Sequence, residues 1–248
     1  MSFWFTQRKK TVMNFGDFAF SIRTENIFSK ISDLCMIYEC AVLDDYNIKD
    51  YIKHDDIIFD IGSHIGSFSI CASRNAKNGF IYAFEPSPEN FEQLRKNIVL
   101  NKSQNIMPIN KAVFSRKKKI RFYINKTNYA SNSIFTKTNT SIEVPCINLS
   151  DIFRKYNISR CNFLKMDCEG AEYDIILNTP KNVLKKIDTM VIEYHTPSYF
   201  NIEEAYNPRI LINHLEETGF LCNIKKVNKY QGFLFVTRKI SKPIKYEK

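Results

Sequence analysis

Ile57-Ile-Phe-Asp60-Ile-Gly62-Ser63-His64-Ile-Gly66-Ser-Phe-Ser-Ile70 sets a short apolar run directly against a turn with two glycines and then an apolar helix start. An apolar run of this length, bounded by turn residues, reads as a strand buried on both faces. Strand, glycine turn and helix make the opening unit of a βαβ fold. Glycine at the turn lets the backbone approach a ligand laid across the C-terminal end of the strand. By itself the pattern also describes a bland connection between a strand and a helix, so the neighbouring segments have to distinguish the two.

From Ile57 onward short apolar runs alternate with amphipathic stretches, which predicts a mostly parallel sheet with helices on both faces. Strands are expected near Ile57–Ile61, Phe80–Glu85, Ile106–Ile109, Asn162–Asp167 and Met190–Tyr194, with two more near Leu221–Val227 and Phe233–Thr237. Ser87 and Pro88 cap and open a helix whose Phe91, Leu94 and Ile98 form one apolar stripe. A later helix near Pro208–Glu217 should stop at Gly219. The link Asn228–Gly232 is too short for a helical crossover, so the last two strands should pair antiparallel. A mostly parallel seven-stranded sheet ending in an antiparallel hairpin is the Rossmann-like class I methyltransferase architecture, an α/β fold. Before it, Ile31, Leu34, Ile37, Tyr38, Ala41 and Val42 recur at helical spacing. Residues 1–50 therefore read as a helical lead-in able to cap a substrate, 51–240 as the catalytic domain and 241–248 as a basic tail. Arg116–Lys119 reads as a basic turn into an extra strand, Ile120–Ile124, and the polar segment Lys126–Ser141 as a surface loop or a lid.

Glu85 ends the strand that follows the glycine turn. A carboxylate there can accept hydrogen bonds from both hydroxyls of a ribose, as in nucleoside-cofactor sites of this architecture. Dinucleotide binders share that feature. Here, however, Asp60 precedes the first glycine, and the third glycine of a dinucleotide fingerprint is absent. A carboxylate beside a pyrophosphate is repelled, whereas beside a sulfonium or an ammonium it is attracted. S-adenosylmethionine is the expected cofactor.

The fourth expected strand ends Lys165-Met-Asp167-Cys-Glu169-Gly-Ala-Glu172, and the fifth ends Glu193-Tyr-His195. Alternation at period two sends Lys165, Asp167 and Glu169 to one face, at the strand end where ligands bind in open α/β sheets. Ion pairing of Lys165 with Glu169 or Glu172 is the alternative to a catalytic role. His195 is a base candidate at neutral pH, together with Asp167, while Glu169 and Glu193 are expected to orient them or hold the substrate. Oxygen ligands suit Mg²⁺, but no spacing demands a metal, so none is assigned and a divalent cation is left open.

The segments Phe59-Asp-Ile-Gly-Ser-His-Ile-Gly66, Ala83-Phe-Glu-Pro-Ser-Pro88, Asn110-Lys-Ala-Val113, Lys165-Met-Asp-Cys-Glu-Gly-Ala-Glu172 and Val191-Ile-Glu-Tyr-His195 together resemble the FkbM family of methyltransferases, over about residues 36–236. The resemblance implies S-adenosylmethionine as donor and a hydroxyl of a sugar, glycan or secondary metabolite as acceptor. It implies cofactor contacts from Asp60, Gly62, Ser63, His64, Gly66, Glu85, Pro86, Ala112, Val113 and Asp167, and catalysis by Asp167, His195, Glu169, Glu193 and Lys165. Family members commonly carry Ala-Asn where this chain has Ser63-His64, a departure expected to alter contacts to the methionine part of the cofactor.

The charge is +10, from 36 Lys and Arg against 26 Asp and Glu, which favours an acidic or phosphorylated acceptor and keeps an RNA ribose 2′-O-methyltransferase in view, as does the basic run Arg116–Arg121. A non-catalytic nucleoside-binding scaffold is the other alternative. Seven scattered cysteines without a C-x-x-C pair read as reduced thiols and point to the cytoplasm. No run approaches the length of a membrane span. Phe3, Trp4 and Phe5 beside Arg8, Lys9 and Lys10 allow at most a weak contact with a membrane surface. The Asp-Pro-Pro-Tyr type of motif that cradles an amino nitrogen is missing after the fourth strand. Pro145-Cys146 lies outside any position where a cytosine-methylating cysteine would act.

Overall fold

The computed structural model describes residues 11–115, 118–125, 134, 138–196 and 207–239. A seven-stranded sheet forms the centre, with strand order β11-β12-β10-β9-β3-β4-β5. Its strands are β3 (Ile57–Ile61), β4 (Phe80–Phe84), β5 (Ile106–Ile109), β9 (Cys161–Met166), β10 (Ile187–His195), β11 (Phe220–Lys226) and β12 (Gln231–Arg238). Neighbours from β10 through β5 run parallel, while β12 is antiparallel to both β10 and β11. The Rossmann-like architecture and the C-terminal hairpin are as expected from the alternation of apolar runs.

Helices cover both faces, and the pleat of β3 sorts the core between them. Phe59 and Ile61 pack with α5 (Leu149–Lys155), α6 (Glu172–Asn178) and α8 (Pro208–Thr218), whereas Ile58 packs with α1 (Ile27–Tyr38), α3 (Ser67–Asn75) and α4 (Pro88–Leu100). Two short helices, α2 (Ile48–Tyr51) and α7 (Lys181–Leu184), fill connections. The capping signals act as expected: the Ser87 side chain accepts from the Asn90 backbone N–H, Pro88 opens α4, and Gly219 ends α8 at φ +101°.

The first fifty residues are helical only in part. A hairpin, β1 (Thr11–Phe15) and β2 (Phe18–Ile22), precedes α1 and turns at Gly16. Its alternation is too short and too mixed to stand out, and its pairing is secured from a distance: Ser21 N–H and Ala19 N–H donate to Asn97 and Asn101 of α4. After α1 the chain continues through one π-helical turn, Glu39–Leu43.

The basic run does lead into an extra strand. β7 (Lys119–Tyr123) pairs with β8 (Ser141–Ile147), which also pairs with β6 (Ala112–Val113), making a separate three-stranded sheet beside the cleft. Pro145-Cys146 lies within β8. Of the segment Lys126–Ser141, only Ile134 and Thr138–Ser141 belong to the described residues; Met1–Lys10, Arg116 and the tail 241–248 lie outside them. All seven cysteines are free; Cys40, Cys71 and Cys161 are buried, while Cys35 is exposed.

Candidate active site

An open cleft runs along the C-terminal ends of β3, β4 and β9. One half is polar, lined by Gly62, His64, Glu85, Asn90, Asp167 and Glu169. The other half is apolar: Ala112 and Val113 of β6, Ile120 and Phe122 of β7, and Phe84, Phe114 and Ile134. An apolar slot beside a carboxylate at a strand end suits a flat base joined to a ribose.

Glu85 is almost fully buried, and burial pushes its pKa up to about 7 against three hydrogen bonds that pull it down. Oε2 accepts from the His64 N–H at 2.8 Å, and Oε1 accepts from the Ser87 N–H at 2.8 Å and Asn90 Nδ2 at 3.4 Å. The carboxylate is thus aimed by backbone donors from the glycine turn and from the start of α4.

The glycines of the turn answer first to the protein. Gly62 has φ +79°, and a Cβ there would overlap the Asp167 carbonyl; Gly66 has φ +90°, and its Cβ would press on Leu94. Sequence reasoning assigned both glycines to ligand approach. The structure shows that close passage of the β3 and β9 ends, and of the turn against α4, already requires them. Ser63 and Gly66 are not among the residues that line the cleft, and Ser63 Oγ donates to the Asp60 carbonyl.

Asp60 is also placed otherwise than expected. It is fully buried, accepts from Ser69 Oγ at 2.6 Å and stands 3.5 Å from Lys165 Nζ. Its counter-charge is that ammonium, which reaches it because Asp60 and Lys165 face each other across the β3–β9 register. Lys165 also lies 3.8 Å from Asp167 and donates to the Gly62 carbonyl at 2.7 Å, so it pairs with Asp60 and Asp167 and not with Glu169 or Glu172. Burial lowers its pKa, but the two aspartates outweigh this and hold it above the ordinary lysine value.

Strand alternation stops at Met166, where β9 ends. Glu169 therefore reaches the site from a turn, with φ +52°, and not as the next residue of a strand face. It meets His195: Glu169 Oε2 lies 3.7 Å from Nε2, and Glu172 Oε1 lies 3.4 Å from Nδ1. Burial would lower the His195 pKa, yet Glu172, Glu169 and Asp167 together raise it to about 10. The surrounding carboxylates thus favour the protonated ring, which weighs against the expected role of His195 as the base. Burial raises Glu169 to about 8, raises Asp167, and lifts Glu193 well above the carboxylate range. Glu193 accepts from Tyr46 Oη and Gln231 Nε2, both at 3.3 Å. Oxygens or nitrogens of Asp167, Glu193 and His195 come within 4.8 Å of one another, a mixed donor set able to hold a cation. Spacing concealed it because the three come from two strands.

The lead-in contributes residues that sequence reasoning missed. Arg23 forms a buried pair with Asp33, donates to Asn90 Oδ1 at 2.7 Å and lies 2.9 Å from His64 Nε2. Burial, Arg23 and Lys165 hold His64 well below the usual histidine pKa, so its neutral Nε2 accepts from Arg23. His64 has φ +50°, and its ring docks the lead-in onto the glycine turn while its N–H serves Glu85. Met36 lines the cleft. Glu39, in the π turn, is pushed up to about 7 by burial and by Asp167. The one signal available was the helical periodicity from Ile31 to Val42, which gave no direction for these side chains.

Among the expected cofactor residues, Gly62, His64, Glu85, Pro86, Ala112, Val113 and Asp167 line the cleft. Among the described residues, no helix is long and apolar enough to cross a membrane.

A profile of the methyltransferase FkbM domain matches residues 60–222. Hexuronic acid methyltransferase AglP of Haloferax volcanii is 24% identical over 187 residues, covering 75% of this chain and 72% of that protein. The 31-O-demethyl-FK506 methyltransferase FkbM of Streptomyces tacrolimicus is 23% identical over 181 residues, 58% of this chain and 70% of its own length. Among solved structures, fibrillarin from Aeropyrum pernix with bound S-adenosyl-L-methionine superposes with a TM-score of 0.50 at 14% identity, covering 83% of this chain and 74% of that one, a likeness of fold alone.

Proposed function

The chain belongs to the FkbM methyltransferase domain family and is an S-adenosylmethionine-dependent methyltransferase, and from that premise we propose that it methylates a hydroxyl of a sugar, glycan or secondary metabolite. The observation that carries this reading is the cleft itself, whose walls bring together a ribose-type carboxylate at Glu85, the Asp167 and Glu169 carboxylates, and the apolar Phe84, Ala112 and Val113. The residues fit the cofactor. Glu85 would take the ribose hydroxyls, Ala112 and Val113 the adenine, and the Gly62 turn the methionine part. The bound cofactor supplies an electrophilic methyl on a sulfonium, whose positive charge disappears on transfer.

The rest is the work of this chain. A neutral hydroxyl is a poor nucleophile, so a carboxylate at the β9 end accelerates transfer by taking its proton as the new bond forms. Asp167 borders the cleft, and its raised pKa makes it a better base than an ordinary aspartate. Lys165 holds it in place from below, and protonated His195, gripped by Glu169 and Glu172, helps to offset the charge around it. Alignment of the acceptor with the methyl supplies much of the remaining acceleration.

AglP, by its name, methylates a hexuronic acid, and an acidic sugar also suits this chain's net charge of +10. The lead-in, which lines the cleft with Met36 and brings Glu39 within electrostatic reach of Asp167, and the segment Lys126–Ser141 are the proposed acceptor-binding parts, the latter as a lid. The free cysteines favour a reducing, cytoplasmic setting. The basic charge is what speaks for RNA. Labelled cofactor offered with uronic acids, nucleotide sugars, glycans and RNA decides: label in an O-methyl sugar supports this reading, and label confined to RNA ribose refutes it.

A further inference from the structure

We propose that Asp167, Glu193 and His195 form a binding site for a divalent cation of the Mn²⁺ kind at the acceptor end of the cleft. The proposal rests on the methyl-transfer reading above and adds to it a group that holds the acceptor oxygen.

Geometry comes first. The three donors end adjacent parallel strands, Asp167 directly after β9 and Glu193 with His195 on β10, where Val191 is in register with Lys165. Period-two alternation turns Glu193 and His195 to the same side of β10. Their donor atoms lie within 4.8 Å of one another. Ligands of one ion at about 2.1 Å stand up to about 4.2 Å apart, so small side-chain rotations close the set. Two carboxylates and one imidazole suit a first-row divalent ion better than an all-oxygen Ca²⁺ cage.

The surroundings give a second, separate argument. Ligating histidines usually carry a carboxylate on their other nitrogen, which fixes the ring and its tautomer. Glu172 takes that place at Nδ1, fully buried and held by the Cys168 N–H at 3.0 Å, and Tyr173 Oη anchors the backbone of His195 at 3.0 Å. Nε2 is then the ligating nitrogen. Glu193 is braced in the same way by Tyr46 and Gln231, each of which leaves lone pairs on the carboxylate.

Charge points the same way. Five carboxylates, from Asp60, Asp167, Glu169, Glu172 and Glu193, gather about the ammonium of Lys165 and the imidazole of His195. The cofactor's sulfonium adds one positive charge and loses it on transfer, whereas a divalent ion offsets part of the cluster's negative charge both before and after transfer. Binding expels the imidazole proton, as ligation of histidine requires. The ion then takes the acceptor oxygen and acidifies its O–H. As the sulfur–methyl bond breaks and the oxygen–methyl bond forms, the hydroxyl proton passes to the Asp167 carboxylate oxygen that the ion leaves free, so that Asp167 stays the base named above.

The test uses the full chain, freed of metal by chelation, with S-adenosylhomocysteine present. Mn²⁺ is titrated and followed by electron paramagnetic resonance. The expected result is one Mn²⁺ per chain with a nitrogen hyperfine coupling, weakened at least about tenfold in Glu193→Gln and stripped of the nitrogen coupling in His195→Gln. Absence of wild-type binding up to about 1 mM Mn²⁺, or binding without nitrogen coupling, overturns the site. Because the wild-type signal alone decides the first point, a variant that fails to fold does not obscure it. Full transfer activity after chelation with no Mn²⁺ bound removes the metal and leaves the methyltransferase reading standing; Mn²⁺ bound on its nitrogen with no hydroxyl methylated does the reverse.

Discussion

The backbone N–H of His64 donates to Glu85 Oε2 at 2.8 Å, so the glycine turn after β3 aims the carboxylate that ends β4. A ribose bound there would find its acceptor already oriented. Glu85→Ala should weaken S-adenosylmethionine binding by about 1.5–3 kcal/mol, the scale of hydrogen bonds to a charged group. Calorimetry on the folded variant checks this, and unchanged affinity would remove the ribose role.

The same residue predicts a pH dependence. Burial raises Glu85 to about 7, above its ordinary 4.5, so the empty pocket favours the protonated acid. Ribose hydroxyls favour the carboxylate, hence cofactor affinity should be level above about pH 7 and fall as the pH drops below it. Affinity measured from pH 5.5 to 8.5 should lose this slope in Glu85→Gln.

Gly62 passes so close to the Asp167 carbonyl, at φ +79°, that Gly62→Ala should cost at least about 2 kcal/mol of stability from strain and overlap together. Denaturant unfolding is the measurement. A wild-type midpoint would show that the two strand ends part more easily than this geometry implies.

Lys165 offsets the buried Asp60 and the partly buried Asp167, and Lys165→Met would leave Asp60 enclosed without a counter-charge. The expected loss is about 3–5 kcal/mol, recovered in part by adding Asp60→Asn. Additive losses in the double variant would contradict the pairing.

The strand segments, the antiparallel C-terminal hairpin and the position of Glu85 were legible because a parallel sheet is written in short apolar runs and its ligands gather at the strand ends. Lys165, Asp167, Glu193 and His195 could be placed together at neighbouring strand ends for the same reason. What could not be read was direction. Nothing local tells that Lys165 leans back to Asp60 across the β3–β9 register, nor that the chain leaves β9 at Met166 and swings Glu169 round to His195. Likewise the protonation of His195 depends on Glu172, which comes from the following helix and meets the ring only in the fold. The β1–β2 hairpin was missed because its support comes from Asn97 and Asn101, about eighty residues away.

The segment Lys126–Ser141 lies between β7 and β8, whose strand β7 lends Ile120 and Phe122 to the cleft. If the segment acts as a lid, its replacement by a short Gly-Ser linker should raise the acceptor KM or lower kcat with cofactor affinity nearly unchanged. Wild-type acceptor kinetics in the folded variant would make it a surface insertion and shift attention to Met36 and Glu39.

The most direct test of the account is single-turnover transfer of labelled methyl from S-adenosylmethionine to a uronic acid or other sugar hydroxyl, comparing wild type with Asp167→Asn at saturating cofactor. The account predicts an O-methyl product from the wild type, and an Asp167→Asn variant that, with cofactor saturating, transfers at least about a hundredfold more slowly. Equal rates in the two proteins, or label recovered on nitrogen with no hydroxyl methylated, would contradict it.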